Sequence, residues 1–307
     1  MLGNPLFLLP QPLPFGEVPL TALDLGRPHL YWLDGGGFRL DGGSIFGPVP
    51  RPRWSELYPP AEDNSVPLTA HVVLVQIGSS WGLIDSGFGH HLTDRQRRAY
   101  TLERETSIEH SLAELGLSKT SIDWVILSHL HLDHAGGVLA RDGQDRVKPV
   151  FPNAPIWVQS LEAREARDET NRAHGMYPGD AFDRLDELGV VREVDGQADV
   201  AADVSVFLTG GHSRGHQATL VSGASGAAML HLGDLLVTRA HVPPAWVSAL
   251  DDFPLDTIRA KREWLSKAAE NGWWVAFSHD VELAAGVLDP NGGRELVRAW
   301  PVQPAAR

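Results

Sequence analysis

The sequence predicts an α/β fold in which helices cover the outer faces of two stacked sheets. Short apolar runs rich in Val, Ile, Leu and Trp recur in an early and a late bunch, and helical segments are interspersed among them without strict alternation. No repeat of constant period and no low-complexity linker divides the 307 residues, so one domain over residues 1–307 is expected.

The elements follow in order. The N-terminal MLGNPLFLLPQPLPFGEVPL is apolar but has no Lys or Arg before the run, and its prolines break the helix a signal peptide needs. Residues 1–20 are therefore expected as a packed or partly ordered arm of a cytoplasmic protein. The Gly/Pro-rich stretch from Gly35 to Pro60 reads as a long loop, a length that in compact domains is often functional. Buried strands are expected at 71–76, 81–84, 124–127, 155–158, 204–208, 218–221, 228–232 and 273–277, where run length and β-branched content suit them. A helix is expected from Thr106 to Leu117, with Thr106 and Glu109 as a capping box and Ile108, Leu112 and Leu115 on one stripe. Another runs from Asp256 to Asn271, with Ile258, Leu265 and Ala269 aligned and Asn271-Gly272 as the stop.

Composition narrows the chemistry. The formal charge of −13 repels phosphate backbones and anionic membranes, so neither nucleic acid nor membrane is expected as a partner. No stretch of 18 apolar residues is present to span a bilayer. The chain has no cysteine, which leaves histidine nitrogens and carboxylate oxygens as the strong ligands for any metal.

Those ligands are concentrated in SHLHLDHAGG, residues 128–137, directly after the apolar run Trp124 to Leu127. In an extended segment side chains two apart point the same way, so His129 and His131 can present two nitrogens to one cation. Where the chain turns, Asp133 and His134 swing to a second position, and Ala135-Gly136-Gly137 lets backbone approach backbone. A zinc site needs further ligands. Later strand ends supply candidates: His212 and His216 after Val204 to Leu208, Asp234 after Ala228 to Leu232, and His279 after Trp273 to Phe277.

In this order, HxHxDH, GHxxGH, an isolated Gly-Asp and a late Ser-His-Asp, the sequence resembles the metallo-β-lactamase superfamily over about residues 65–285. The resemblance implies an αββα sandwich of two mixed sheets. It also implies one metal held by His129, His131 and His212, a second held by Asp133, His134 and His279, and Asp234 bridging both. Two divalent ions per chain are expected, zinc first, with iron, cobalt or manganese as alternatives. LDGGSIFGPVPRPRW (40–54), LIDSGFG (83–89), TGGHSRGH (209–216), HLGDLLVTRAHVPPAWVSALDDFP (231–254) and FSHD (277–280) resemble the YtnP-type quorum-quenching lactonases, which hydrolyse N-acyl-homoserine lactones; related enzymes are commonly homodimers.

Such a site implies a small-molecule acyl lactone as substrate and a water activated by the cation pair, whose pKa falls to about 7. Asp133 is the candidate to take the proton and return it to the departing ring alkoxide. Some lactonases of this kind carry a tyrosine three residues after the bridging aspartate; here that position is Val237, and Tyr177 is a candidate substitute, with core packing its alternative. Leu40, Ile45 and Phe46 could form the apolar wall for the acyl chain. Asp85, His216, His231 and His241 are expected to orient ligands or to pack in the core. The same site would also suit a thioesterase or a phosphotriesterase, a nuclease is disfavoured by charge, and a non-catalytic metal-binding or sensing protein is the alternative of another class.

Overall fold

The computed structural model describes residues 22–291 and 295–302; the arm at 1–20 lies outside them. Among the described residues the strands are, in chain order, β1 (Leu23–Asp24), β2 (Pro28–Asp41), β3 (Ser65–Ile77), β4 (Ser80–Ile84), β5 (Trp124–Ile126), β6 (Leu139–Arg141), β7 (Val147–Pro149), β8 (Ile156–Gln159), β9 (Val191–Val194), β10 (Gln197–Ala201), β11 (Val204–Leu208), β12 (Gln217–Ser222), β13 (Ala228–His231), β14 (Trp274–Ala276), β15 (Leu283–Leu288) and β16 (Leu296–Pro301). The α-helices are α1 (Gly42–Phe46), α2 (Arg51–Leu57), α3 (Asp94–Ala99), α4 (Ile108–Glu114), α5 (Leu132–Ala135), α6 (Ser160–Ala166), α7 (Asp180–Glu187) and α8 (Pro254–Asn271).

Two seven-stranded sheets result, ordered β1-β2-β3-β4-β5-β8-β9 and β10-β11-β12-β13-β14-β15-β16, with β6 and β7 as a separate hairpin. Both are mixed. The first is antiparallel up to β4 and parallel from β4 to β9, and the second is antiparallel except for β13 beside β14.

The two-residue period of β3 shows how the layers form. Val73 and Val75 face the second sheet and meet Val204, Val206, Val221 and Met229 in one apolar cluster. Val72 and Leu74 face the other way, onto Ile108 and Leu112 of α4, Ala163 of α6 and Phe182 of α7. On the far side, Trp264, Leu265 and Ala268 of α8 cover Leu230 and Val275. The order is therefore α/β/β/α, as the sequence predicted.

All eight expected strands are present, most within a residue or two of their predicted ends, and α8 stops at Gly272 in the left-handed region (φ 65°). Two expectations are corrected. The stretch from Gly35 to Pro60 is not a long loop: residues 35–41 complete β2, paired as far as Asp41 with Ser65, and α1 and α2 follow. The glycines mark a register shift between Asp34 and Gly37, where a Cβ on Gly35 would lie 2.7 Å from the Ala70 oxygen, so they serve an irregular strand and close packing. Asp41 then starts α1 by accepting from the Gly43 and Ser44 amides. The helix expected from Thr106 begins at Ile108 with Ser107 at its N-cap and no capping box; the Thr106 hydroxyl donates to the Asp34 carbonyl (3.2 Å) and accepts from the Ile108 amide (3.4 Å).

The glycines after α5 are needed for contact between segments. A Cβ on Gly137 would lie 1.9 Å from the Ser86 carbonyl oxygen, and one on Gly136 2.2 Å from that of Phe88. Backbone atoms cannot step aside as a flexible side chain can. Gly137→Ala is therefore expected to cost about 3 kcal/mol of stability in denaturant unfolding; an unchanged midpoint would show that this close approach is not rigid.

Candidate metal centre

Four strand ends meet along one edge of the sandwich. The chain leaving β5 carries His129 and His131, α5 turns Asp133 and His134 back, the β11–β12 turn brings His212, and the segments after β13 and β14 bring Asp234 and His279. All seven are at least nine-tenths buried.

They form two groups. Within each, the potential ligand atoms all lie within 4.8 Å of one another: His129, His131 and His212 in one, Asp133, His134, Asp234 and His279 in the other. In the first, His131 Nδ1 is 3.0 Å from His129 Nε2 and 3.1 Å from His212 Nε2. In the second, His134 Nε2 is 3.1 Å from His279 Nε2, and Asp234 Oδ1 is 3.1 and 2.9 Å from those two nitrogens. Asp133 Oδ2 stands 3.6 Å from each of the same nitrogens. Asp234 Oδ2 faces the other way, 3.5 Å from His212 Nε2, so this one carboxylate looks onto both groups.

Hydrogen bonds alone do not account for three ring nitrogens converging. Two imidazole nitrogens can share one proton, but His131 Nδ1 faces two at once. The separations are close to the roughly 3.3 Å edge of a tetrahedron with metal–nitrogen bonds of about 2.0 Å. This donor set fits a divalent cation in each group.

Electrostatics agree. Burial first, then the neighbouring rings, hold His129 and His131 well below the ordinary histidine pKa, leaving neutral lone-pair donors. Burial also opposes charge on His134, but Asp234, Asp133 and Asp85 outweigh it and raise its pKa. For Asp234 burial favours the neutral acid, yet His279, His134 and His212 hold it well below the usual carboxylate range. A proton on His134 and a divalent cation balance the same carboxylates, so cation binding would release that proton.

The rings are fixed from behind. Burial works against the Asp85 carboxylate, but His134 keeps it ionised. It accepts from His134 Nδ1 (2.8 Å) and from the Ser128 amide and hydroxyl, while its own backbone is held at φ 60°. His212 Nδ1 donates to Asp251 (2.8 Å) and His279 Nδ1 to the Thr69 carbonyl (3.0 Å). His231 Nε2 lies 3.7 Å from Asp85, and His216 Nδ1 pairs with the Thr209 hydroxyl at 2.7 Å. His241 is not directed at the cluster: its Nε2 donates to the Ile45 carbonyl.

A cavity opens beside the second group. Leu40 and Ile45 line it, together with Asp133, Asp234, Val237 and His279. Phe46 and Tyr177 do not. Phe46 is sandwiched between Trp54 (4.7 Å) and His241 (4.9 Å), which makes it an anchor of α1, and Tyr177 packs against the His131 ring in the core under α7.

Three residues with clear roles here carried no sequence signal. Asp251 lies within the lactonase-like segment 231–254, where nothing set it apart from its neighbours. Glu162, whose carboxyl burial pushes up to about 7, accepts from the Leu130 amide and the Ser213 hydroxyl and so ties two ligand-bearing turns together. Tyr100 ends the arginine-rich α3 and reaches the cavity from there. Burial, then Asp133 and Asp234, push its phenol well above the ordinary value, so it remains an O–H donor.

Residues 66–279 match the sequence profile of the metallo-beta-lactamase superfamily. The chain belongs to that superfamily. Among curated relatives, the N-acyl homoserine lactonase AttM of Azorhizobium caulinodans is 29% identical over 172 residues, covering 55% of this chain and 62% of that protein. The N-acyl homoserine lactonase of Bacillus cereus is 28% identical over 191 residues, covering 60% and 66%. The matches thus span somewhat under two thirds of these relatives' lengths. A probable metal-dependent hydrolase from Staphylococcus aureus superposes with a TM-score of 0.84 at 28% identity, over 92% of this chain and 100% of that one. The dizinc quorum-quenching lactonase AidC superposes at 0.71 with 18% identity over 95% and 99%, a likeness of fold.

If Asp251 fixes the His212 ring, Asp251→Asn should weaken cation affinity about 10- to 100-fold, read by competition with a chromophoric chelator. Wild-type affinity in that variant would remove Asp251 from the support of the centre.

Proposed function

We propose that this chain is a binuclear metal-dependent hydrolase that opens the lactone ring of N-acyl-homoserine lactones, with His129, His131, His212, Asp133, His134, His279 and the shared Asp234 as its ligands. The observation that carries the reading is the placement of Asp133. Its Oδ2 faces the histidines of the second group, while its Oδ1 faces the apolar cavity on the side of Tyr100. One carboxylate therefore stands between a cation-binding cluster and a small space lined mainly by apolar side chains.

Cations bound there would supply Lewis acidity for the carbonyl and lower the pKa of water to about 7. The protein's own residues do the rest. Asp133 Oδ1 accepts the proton of the attacking water and returns it to the ring oxygen as the C–O bond breaks, so the proton count closes within one residue. Leu40, Ile45 and Val237 exclude water from the acyl side. The cavity has room for about one water (10 Å³), so a substrate enters as the partly buried Leu40, Met176 and Leu250 swing aside.

Lactone as the substrate class is supported by the named activities of the AttM and Bacillus cereus relatives and by the segments resembling YtnP-type lactonases. Zinc suits a donor set of five imidazoles and two carboxylates without thiolate. A homodimer rests on the resemblance. Among the described residues no helix is long and apolar enough to cross a membrane.

The test is a pH-stat assay of the metal-loaded protein on a panel of N-acyl-homoserine lactones, with a thioester and paraoxon alongside. Acid release from the lactones at the highest kcat/KM is expected; a preference for either of the others would overturn the substrate assignment. Asp133→Asn should lower kcat at least 100-fold with close to two metals still bound per chain. Retained turnover would remove Asp133 from the proton path.

A further inference from the structure

An ester carbonyl that gains negative charge during cleavage is further stabilised by a hydrogen-bond donor aimed at it, beside any Lewis acid. The cavity's walls offer few. Its polar lining residues are Tyr100, Asp133, Asp234, Ser248 and His279. The two carboxylates only accept. Ser248 already donates to the Ser44 carbonyl at 2.9 Å, and His279 donates through Nδ1 to Thr69 while its Nε2 faces the cluster. Tyr100 is left. Its hydroxyl lies 3.4 Å from Asp133 Oδ1, longer than a formed O–H···O bond, so the hydrogen is not firmly engaged.

The ring is held for this position. Phe38 and Phe88 meet it edge-on at 5.9 and 4.9 Å, and the backbone on either side is tied, Tyr100 N to the Gln96 carbonyl and Tyr100 O to the Arg39 amide. A phenol fixed by its ring and loose at its hydroxyl can turn toward a ligand without moving anything else.

We propose that the Tyr100 hydroxyl is a catalytic contact, donating a hydrogen bond to the carbonyl oxygen, or in a phosphotriester the phosphoryl oxygen, of the ester being cleaved. The assignment rests on the hydrolase reading above but not on the substrate being a lactone. Tyr177, buried against His131 and absent from the cavity lining, does not fill this role.

Tyr100→Phe removes the oxygen and keeps the ring packing. It is compared with wild type on whichever of the lactone, thioester and phosphotriester wild type hydrolyses fastest, with metal content, melting temperature and calorimetric binding of a non-hydrolysable N-acyl-homoserine lactam measured in parallel. The expected result is a loss of about 100-fold in kcat, a smaller change in KM, and full metal content. A kcat loss under tenfold, or one that follows a loss of metal, overturns the proposal, the second because Tyr100 would then merely support Asp133. If wild type hydrolyses none of the three substrates, the hydrolase reading fails and the catalytic assignment falls with it; the lactam then decides only whether the hydroxyl contacts a carbonyl ligand, roughly threefold weaker binding in the variant supporting that contact. Equal affinity, or no binding to wild type, rules it out.

Discussion

Lone pairs of like character, pressed together away from water, repel unless something positive stands between them. The edge of this sandwich holds five imidazoles and two carboxylates in that condition, nearly all their surface lost to solvent. All of these rings except His131 have a partner on their other side. Asp85 behind His134, Asp251 behind His212 and the Thr69 carbonyl behind His279 each fix which nitrogen carries hydrogen and which faces inward.

The backbone around the centre serves the same end. Asp85 occupies a left-handed conformation, disfavoured for a residue with a side chain, and the Ser128 amide and hydroxyl hold its carboxylate there. Gly136 and Gly137 let the segment after His134 press against residues 86–88, the stretch that directly follows its partner Asp85. Glu162 links the turn carrying His129 and His131 to the one carrying His212. The ligand-bearing segments are therefore cross-braced by buried polar side chains as well as by the sheets beneath them.

Much of this was legible in the sequence, for identifiable reasons. The strands after which ligands occur are short apolar runs, and the spacing of His129, His131, Asp133 and His134 fits the passage from extended chain to a helical turn. Other features depend on tertiary context. Gly35 to Pro60 has loop-like composition, yet its glycines serve an irregular strand packed against residues 70 and 87, and no local pattern distinguishes the two uses. The strands β9, β10 and β16 are partly exposed or interrupted by polar residues and lack the apolar runs that marked the central strands, while β15 is buried but has alanine and glycine at its centre. Asp251 and Tyr100 reach the centre from elements with no metal-binding pattern of their own, and proximity in sequence could not reveal them.

One consequence follows from the orientation of Asp234. Its two oxygens look in opposite directions, one to His134 and His279 and the other to His212. Torsion about a single side chain is thus common to both halves of the site, and whichever half fills first sets that torsion for the other. Loading would then be a linked equilibrium, in which an ion in either half changes the affinity of the other half for its own.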